Sequence, residues 1–206
     1  TKDVREDTEE IERRMSEYIE LHEEAPEMYL ATTTGDYYMQ PELEMEEGYD
    51  PRERDWYQDA MENPGEVIIS DPYVTASGDG KLAVSVAKAL DDGSGAIGMD
   101  VSIDFIQQLV SEMNVGENGY ALLLDNHQNF IYHPEIGSGE QAEASFYQNM
   151  YEQENGTFNY DYNGTSKIMV FGTNDMTGWK LGGTIDYNEV LAEAKSISTP
   201  VTIVLA

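Results

Sequence analysis

The 206-residue chain contains no cysteine. That excludes a disulfide framework, a thiolate metal site and a cysteine nucleophile. Basic residues are scarce: 11 Lys and Arg stand against 41 Asp and Glu, a formal charge of −30. Such a field repels phosphate backbones and anionic lipid head groups, so no nucleic-acid partner is expected. It also opposes the compact state by self-repulsion, which concentrated salt screens; the Debye length falls to about 3 Å at 1 M. A halophilic protein, from a salty habitat, is the simplest reading of that charge, and a merely acidic surface is the plainer one. No apolar run reaches the roughly 18 residues that span a bilayer, and no signal peptide opens the sequence. The stretch from Pro200 to Ala206 is nonetheless an apolar tail, readable as a last strand or as the first turn of a membrane helix.

Catalytic signals are missing too. His22, His127 and His133 are scattered singly, without metal-ligand spacing, so no metal or cofactor is expected. Asp91 and Asp92 precede Gly93 and read as a solvated turn, not an acid–base pair. No nucleophile stands with a base, and no enzyme is expected. Asn155-Gly156-Thr157 and Asn163-Gly164-Thr165 match a glycosylation acceptor, a common chance triplet, in expected turns.

What is present suffices for packed cores, with 40% apolar and 10% aromatic residues. Ile11, Met15, Tyr18 and His22 share one helical face and predict a helix over Glu9 to Glu24, closed by Pro26. A hairpin over Met28 to Gln40, an acidic loop and a short helix over Arg52 to Asn63 follow. Three strands are expected at Glu66–Ile69, Leu82–Ala87 and Ala96–Val101, then a helix at Ile103–Met113. The pattern restarts with a hairpin from Tyr120 to His133 and a helix over Ala142 to Gln153. Strands at Thr157–Tyr162, Lys167–Gly172 and Lys180–Asp186 and a helix at Asn188–Ile197 complete it. Asn163-Gly164 predicts a tight hairpin turn. Two α+β modules in series, residues 1–114 and 115–206, are the expected organisation.

The most informative string is Gly48-Tyr49-Asp50-Pro51-Arg52-Glu53-Arg54-Asp55-Trp56-Tyr57, followed by Ser70-Asp71-Pro72-Tyr73 and Gly98-Met99-Asp100-Val101. It resembles the double Cache sensor domains of bacterial and archaeal chemoreceptors and sensor kinases, and within them the ligand domains of methyl-accepting chemotaxis proteins. The resemblance is strongest from Pro41 to Ile106 and continues through Gly119-Tyr120 to His133-Pro134. It implies two PAS-like modules, each an antiparallel sheet with flanking helices, and an N-terminal helix. An amino-acid-binding subset of that family carries a tyrosine, Arg-x-Trp-Tyr, a further tyrosine and an aspartate. Tyr49, Arg54, Trp56, Tyr57, Tyr73 and Asp100 fill those positions here. By resemblance, Tyr49, Arg54 and Trp56 hold the ligand carboxylate, and Tyr57, Tyr73 and Asp100 its ammonium.

The residue chemistry agrees. A free amino acid carries both charges on one carbon, so its site needs a cation and an anion close together. Arg54 offers a bidentate grip on a carboxylate, Asp100 accepts from an ammonium, and the aromatic rings add apolar walls with polar handles. Each residue also has a plainer role. Arg54 would be one end of a surface ion pair, Trp56 and Tyr57 core anchors, Tyr73 a turn aromatic, and Asp100 a helix cap.

The implied function is an extracellular sensor at the cell membrane that binds an amino acid in the distal module and passes the signal through the proximal one. The implied setting is a homodimer between transmembrane helices outside this chain. The competing readings are a sensor for a small carboxylate or amine, and a ligand-free interaction domain.

Overall fold

The computed structural model describes residues 4–45, 47–75, 80–192 and 194. Contacts divide the chain into two compact units, Thr1–Ile106 and Gln107–Ala206. The division falls inside the helix α3 (Ile103–Ser111, labelled in chain order below), whereas the sequence reading places it just beyond. Each unit is built on one antiparallel sheet with flanking helices, the α+β architecture expected. Among the described residues no helix is long and apolar enough to cross a membrane.

The first unit opens with α1 (Val4–Ile19). It starts earlier and ends sooner than its apolar spacing predicts. Beyond Ile19 the backbone bonds tighten to three-residue turns, and Leu21 is left exposed. Met15 is buried, while Arg13 and Arg14 pair with Glu10 and Glu17 on the exposed face. The sheet comprises β1 (Glu27–Thr32), β2 (Tyr37–Gln40), β3 (Ile68–Ile69), β4 (Tyr73–Val74), β5 (Leu82–Ala89) and β6 (Gly95–Ser102). Its order is β2-β1-β6-β5-β3, with β4 also paired to β5. The expected strand over Glu66–Ile69 shrinks to two residues. Ser70 bonds to Ser85 through backbone and side chain, and Pro72, lacking an N–H, then breaks the ladder before Tyr73.

Directly opposed residues of an antiparallel pair share a face. The register sets Tyr29 and Ala87 against Gly98, and Ser85 against Asp100. That face carries Tyr29, Ala31, Ala87 and Ala96, and α2 (Asp55–Glu62) lays Trp56, Tyr57 and Ala60 onto it. The run of alanines lets the helix approach closely. Trp56 is buried, so its truncation to alanine should cost about 3–5 kcal/mol. The entry to α2 is fixed locally. The Asp50 carboxylate accepts the Arg52 N–H at 3.0 Å, and Pro51 starts a single 3-10 turn, Pro51–Glu53. Arg54 is then extended, and α2 begins at Asp55.

The second unit is a five-stranded sheet in the order β8-β7-β11-β10-β9. Its strands are β7 (Tyr120–Leu124), β8 (Phe130–Tyr132), β9 (Asn155–Tyr162), β10 (Thr165–Thr173) and β11 (Lys180–Asp186). Asn163 and Gly164 both take positive φ, 51° and 80°, in the expected hairpin turn. The core gathers Leu122, Leu124, Phe130, Tyr147, Met150 and Met169. The helix expected over Ala142–Gln153 contracts to α4 (Ser145–Gln148). Ala142 is held by a backbone bond to Gln128, and from Asn149 onward the bonds span three residues. Strand β9 starts at Asn155, so the first glycosylation triplet lies in a strand and not a turn. Residues 187–192 are helical; the rest of the expected closing helix, but for residue 194, and the apolar tail from Pro200 to Ala206 fall outside the described residues.

Candidate functional site

The site is organised around Asp100. This residue does not cap a helix; it lies inside β6, a central strand flanked by β1 and β5, and is 2% exposed. Three hydroxyls converge on its Oδ1: Tyr29 and Tyr73 each donate at 2.5 Å, and Ser85 at 3.1 Å. Ser85 Oγ also lies 2.6 Å from the Tyr29 hydroxyl and 2.8 Å from that of Tyr73, so the three protons are shared within one cluster. Burial pushes the Asp100 carboxyl up, and the three hydroxyls and the charge of Arg54 pull it part of the way back. Burial first, then the neighbouring carboxylate, raises both Tyr29 and Tyr73. The phenols stay protonated and serve as donors to a buried charge.

Two of these partners are absent from the sequence reading. Tyr29 reaches Asp100 only because Gly98 stands between them. A Cβ at position 98 would lie 2.4 Å from the Tyr29 ring. Ser85 was readable in principle, as the one hydroxyl between Val84 and Val86 in a strand of alanines and valines.

Arg54, Trp56 and Tyr73 line one cavity of about 430 Å³, together with Ser85, Asp55, Asp59 and Asp71. Asp100 does not line it but lies one hydrogen bond behind Tyr73 and Ser85. Arg54 is exposed and makes no ion pair with any described carboxylate. Its neighbour Arg52 does so instead, closing on Asp50 at 2.6 Å and holding that carboxyl down at about 2. Among the described residues Arg54 thus does not form the surface pair that would be its plainer role.

The remaining expected residues are placed differently. The Tyr49 ring packs on Tyr37, centroids 5.4 Å apart. Burial raises the Tyr49 hydroxyl, and the neighbouring Tyr37 hydroxyl and the charge of Arg54 lower it in part. Tyr57 is 6% exposed and meets Trp56 edge-on at 5.6 Å. It does not line the Arg54 cavity, and it packs in the core as an anchor of α2. Trp56 serves both ways: its ring lies 4.6 Å from Tyr29 in the core, and it also borders the cavity. Among the described residues no group of three or more His, Asp or Glu is disposed to hold a metal.

The arrangement places the Arg54 guanidinium on the lining of the cavity, with the Asp100 carboxylate behind the Tyr73 and Ser85 hydroxyls that line it.

Comparison with known proteins gives a consistent picture. The Cache domain model matches residues 2–194. The chain is 36% identical over 197 residues to the methyl-accepting chemotaxis protein McpB of Bacillus subtilis, covering 96% of this chain and 30% of that protein. It is 35% identical to McpA of the same organism over 95% of this chain. The chain thus spans about 30% of the length of the curated relatives it matches. Among solved structures, the ligand-binding domain of the Pseudomonas fluorescens chemoreceptor CtaA, in complex with L-isoleucine, superposes with a TM-score of 0.66. Identity there is 23%, over 84% of this chain and 74% of that one. The domain of the Pseudomonas aeruginosa chemoreceptor PctB with L-Gln gives 0.67 at 21% identity, over 95% of this chain and 82% of that one. At these identities the structures establish a shared fold.

Proposed function

The chain belongs to the Cache domain family, and from that premise we propose that it is the extracellular sensor domain of a transmembrane chemoreceptor, binding a free L-amino acid in its first unit. The ligand carboxylate docks on Arg54, with Tyr49 and Trp56 beside it. Its ammonium sits against Tyr73 and Ser85 and is neutralised by Asp100; Tyr57 supports the wall through Trp56. The receptor works as a homodimer joined to the membrane by helices outside this chain. Residues 1–114 act as the ligand-binding module and 115–206 as the module that passes the signal on.

The observation that carries this reading is that Arg54 makes no ion pair among the described residues. In a chain of charge −30, that supports an anion outside the protein as its partner. The chemoreceptor assignment is supported by relatives that are methyl-accepting chemotaxis proteins and by structural neighbours solved with L-amino acids.

Thermal unfolding with each of the twenty amino acids, then calorimetric titration, tests it. The cognate ligand should stabilise the domain by about 2.7 kcal/mol at a hundredfold excess over its dissociation constant. Arg54→Ala should weaken binding about thirtyfold or more, and Arg52→Ala, already paired, should not. Stabilisation by acetate, lactate or simple amines, with none by any amino acid, would overturn the reading.

A further inference from the structure

The same cavity carries more negative charge than a zwitterion uses. Asp55 and Asp59 line it from one side, four residues apart on α2 and so on one helical face. Asp71 lines it as well. Like charges at that spacing oppose the helix. The helix dipole explains Asp55 in the first turn, but its effect fades by the position of Asp59. Neither Asp55 nor Asp59 makes an ion pair among the described residues. Among the described residues the one cation lining the cavity is Arg54, assigned above to the ligand carboxylate. Once Arg54 and Asp100 have taken the two charges on the α-carbon, the charged groups left on the described lining are the carboxylates of Glu53, Asp55, Asp59 and Asp71.

We propose that this wall selects the side chain by charge, so that the preferred ligands are amino acids with a cationic side chain and acidic amino acids are rejected. The proposal rests on the amino-acid reading of the site. The cavity, at about 430 Å³, has room for a long side chain. A lysine or ornithine anchored at Arg54 would bring its terminal ammonium into a space whose remaining charged lining is carboxylate, Asp55 and Asp59 among it. Glutamate would bring a fifth carboxylate to a cavity already lined by Glu53, Asp55, Asp59 and Asp71.

The test compares lysine, norleucine and glutamate by calorimetric titration in 1 M salt. Norleucine keeps the four-carbon chain of lysine without its ammonium. At that salt the remote field of the protein is screened beyond about 3 Å, so the comparison reads local contacts. Lysine should bind about tenfold more tightly than norleucine, and glutamate least well. Asp59→Asn and Asp55→Asn, both at exposed positions, should bring the lysine-to-norleucine ratio down towards one. Asp91→Asn, in a distant turn, should leave the ratio as it was. Norleucine binding as tightly as lysine overturns the proposal and leaves the amino-acid reading standing. So does a ratio that falls equally in Asp91→Asn, which assigns the preference to general charge. If no amino acid of any charge binds, the amino-acid reading itself fails and takes the proposal with it.

Discussion

Replacing Asp100 by asparagine separates what the residue does for the fold from what it does for a ligand. Asparagine keeps the volume and one carbonyl oxygen, which can accept the hydroxyls of Tyr29, Tyr73 and Ser85. Only the charge is lost. In the free protein that charge is buried, and burial raises the carboxyl above its ordinary range. A folded-state value above the unfolded one means the native state binds the proton more tightly. The stability this gives is complete below the unfolded value, near 3.8, and is lost as pH rises through the folded value. Each unit of upward shift corresponds to about 1.4 kcal/mol withdrawn at neutral pH. Asp100→Asn suffers no such withdrawal. Without ligand it should therefore gain on the wild type between pH 4 and pH 7.5, in urea or thermal unfolding. Ligand binding should move the opposite way. Removing one member of a buried charge pair costs about 2–5 kcal/mol, which is roughly thirtyfold to several thousandfold in affinity. In the wild type, affinity should also fall as pH drops through the raised carboxyl, at a higher pH than an ordinary aspartate would give. A variant that loses stability relative to wild type as pH rises would refute the account of the buried charge. Wild-type affinity in the folded variant would put the ammonium elsewhere.

Gly98→Ala should destabilise the first unit by about 1–3 kcal/mol and weaken ligand binding, because the new methyl would displace the Tyr29 ring from Asp100. Unchanged melting temperature and affinity would mean that the ring does not need that crossing. If the charge of −30 is an adaptation to salt, the melting temperature should climb from low to molar salt as self-repulsion is screened; a flat or falling curve argues for an acidic surface without that adaptation.

Local features of the fold were legible because their causes are local. Asn163-Gly164 announces a turn through two residues that tolerate positive φ, and the period-two alternation of residues 82–87 announces β5. Errors arose where a distant backbone group decides the outcome. Helix α4 is short because Gln128 and Asn129 hold residues 141 and 142 in extended form, and periodicity in 142–153 carries no trace of that contact. The site divides the same way. Arg54, Trp56 and Tyr57 sit within one short string, and Tyr73 and Asp100 follow in motifs of their own. Tyr29 and Ser85 lie 71 and 15 residues from Asp100 and meet it only through the pairing of β1, β6 and β5. Nothing in the composition of a strand says which of its residues will stand opposite a carboxylate.

The two charges of the site are arranged unlike the protein's other ion pairs. Arg13 and Arg14 on α1, Arg52 at the entry to α2, and Lys167 on β10 each sit within 4 Å of a carboxylate, most of them at exposed positions where such pairs contribute little. Arg54 is exposed and makes no ion pair among the described residues, and Asp100 is desolvated but held by neutral donors. If the two were already in contact with each other, a zwitterion would have to break that pair before binding, and its gain would shrink by the same amount. With Asp100 set behind Tyr73 and Ser85, the guanidinium and the carboxylate act on each other only at a distance. A cation held against Tyr73 and Ser85 would be attracted by that carboxylate through the hydroxyls without displacing them. The cost of burying Asp100 is thus borne by the free domain, and such a cation would offset part of it.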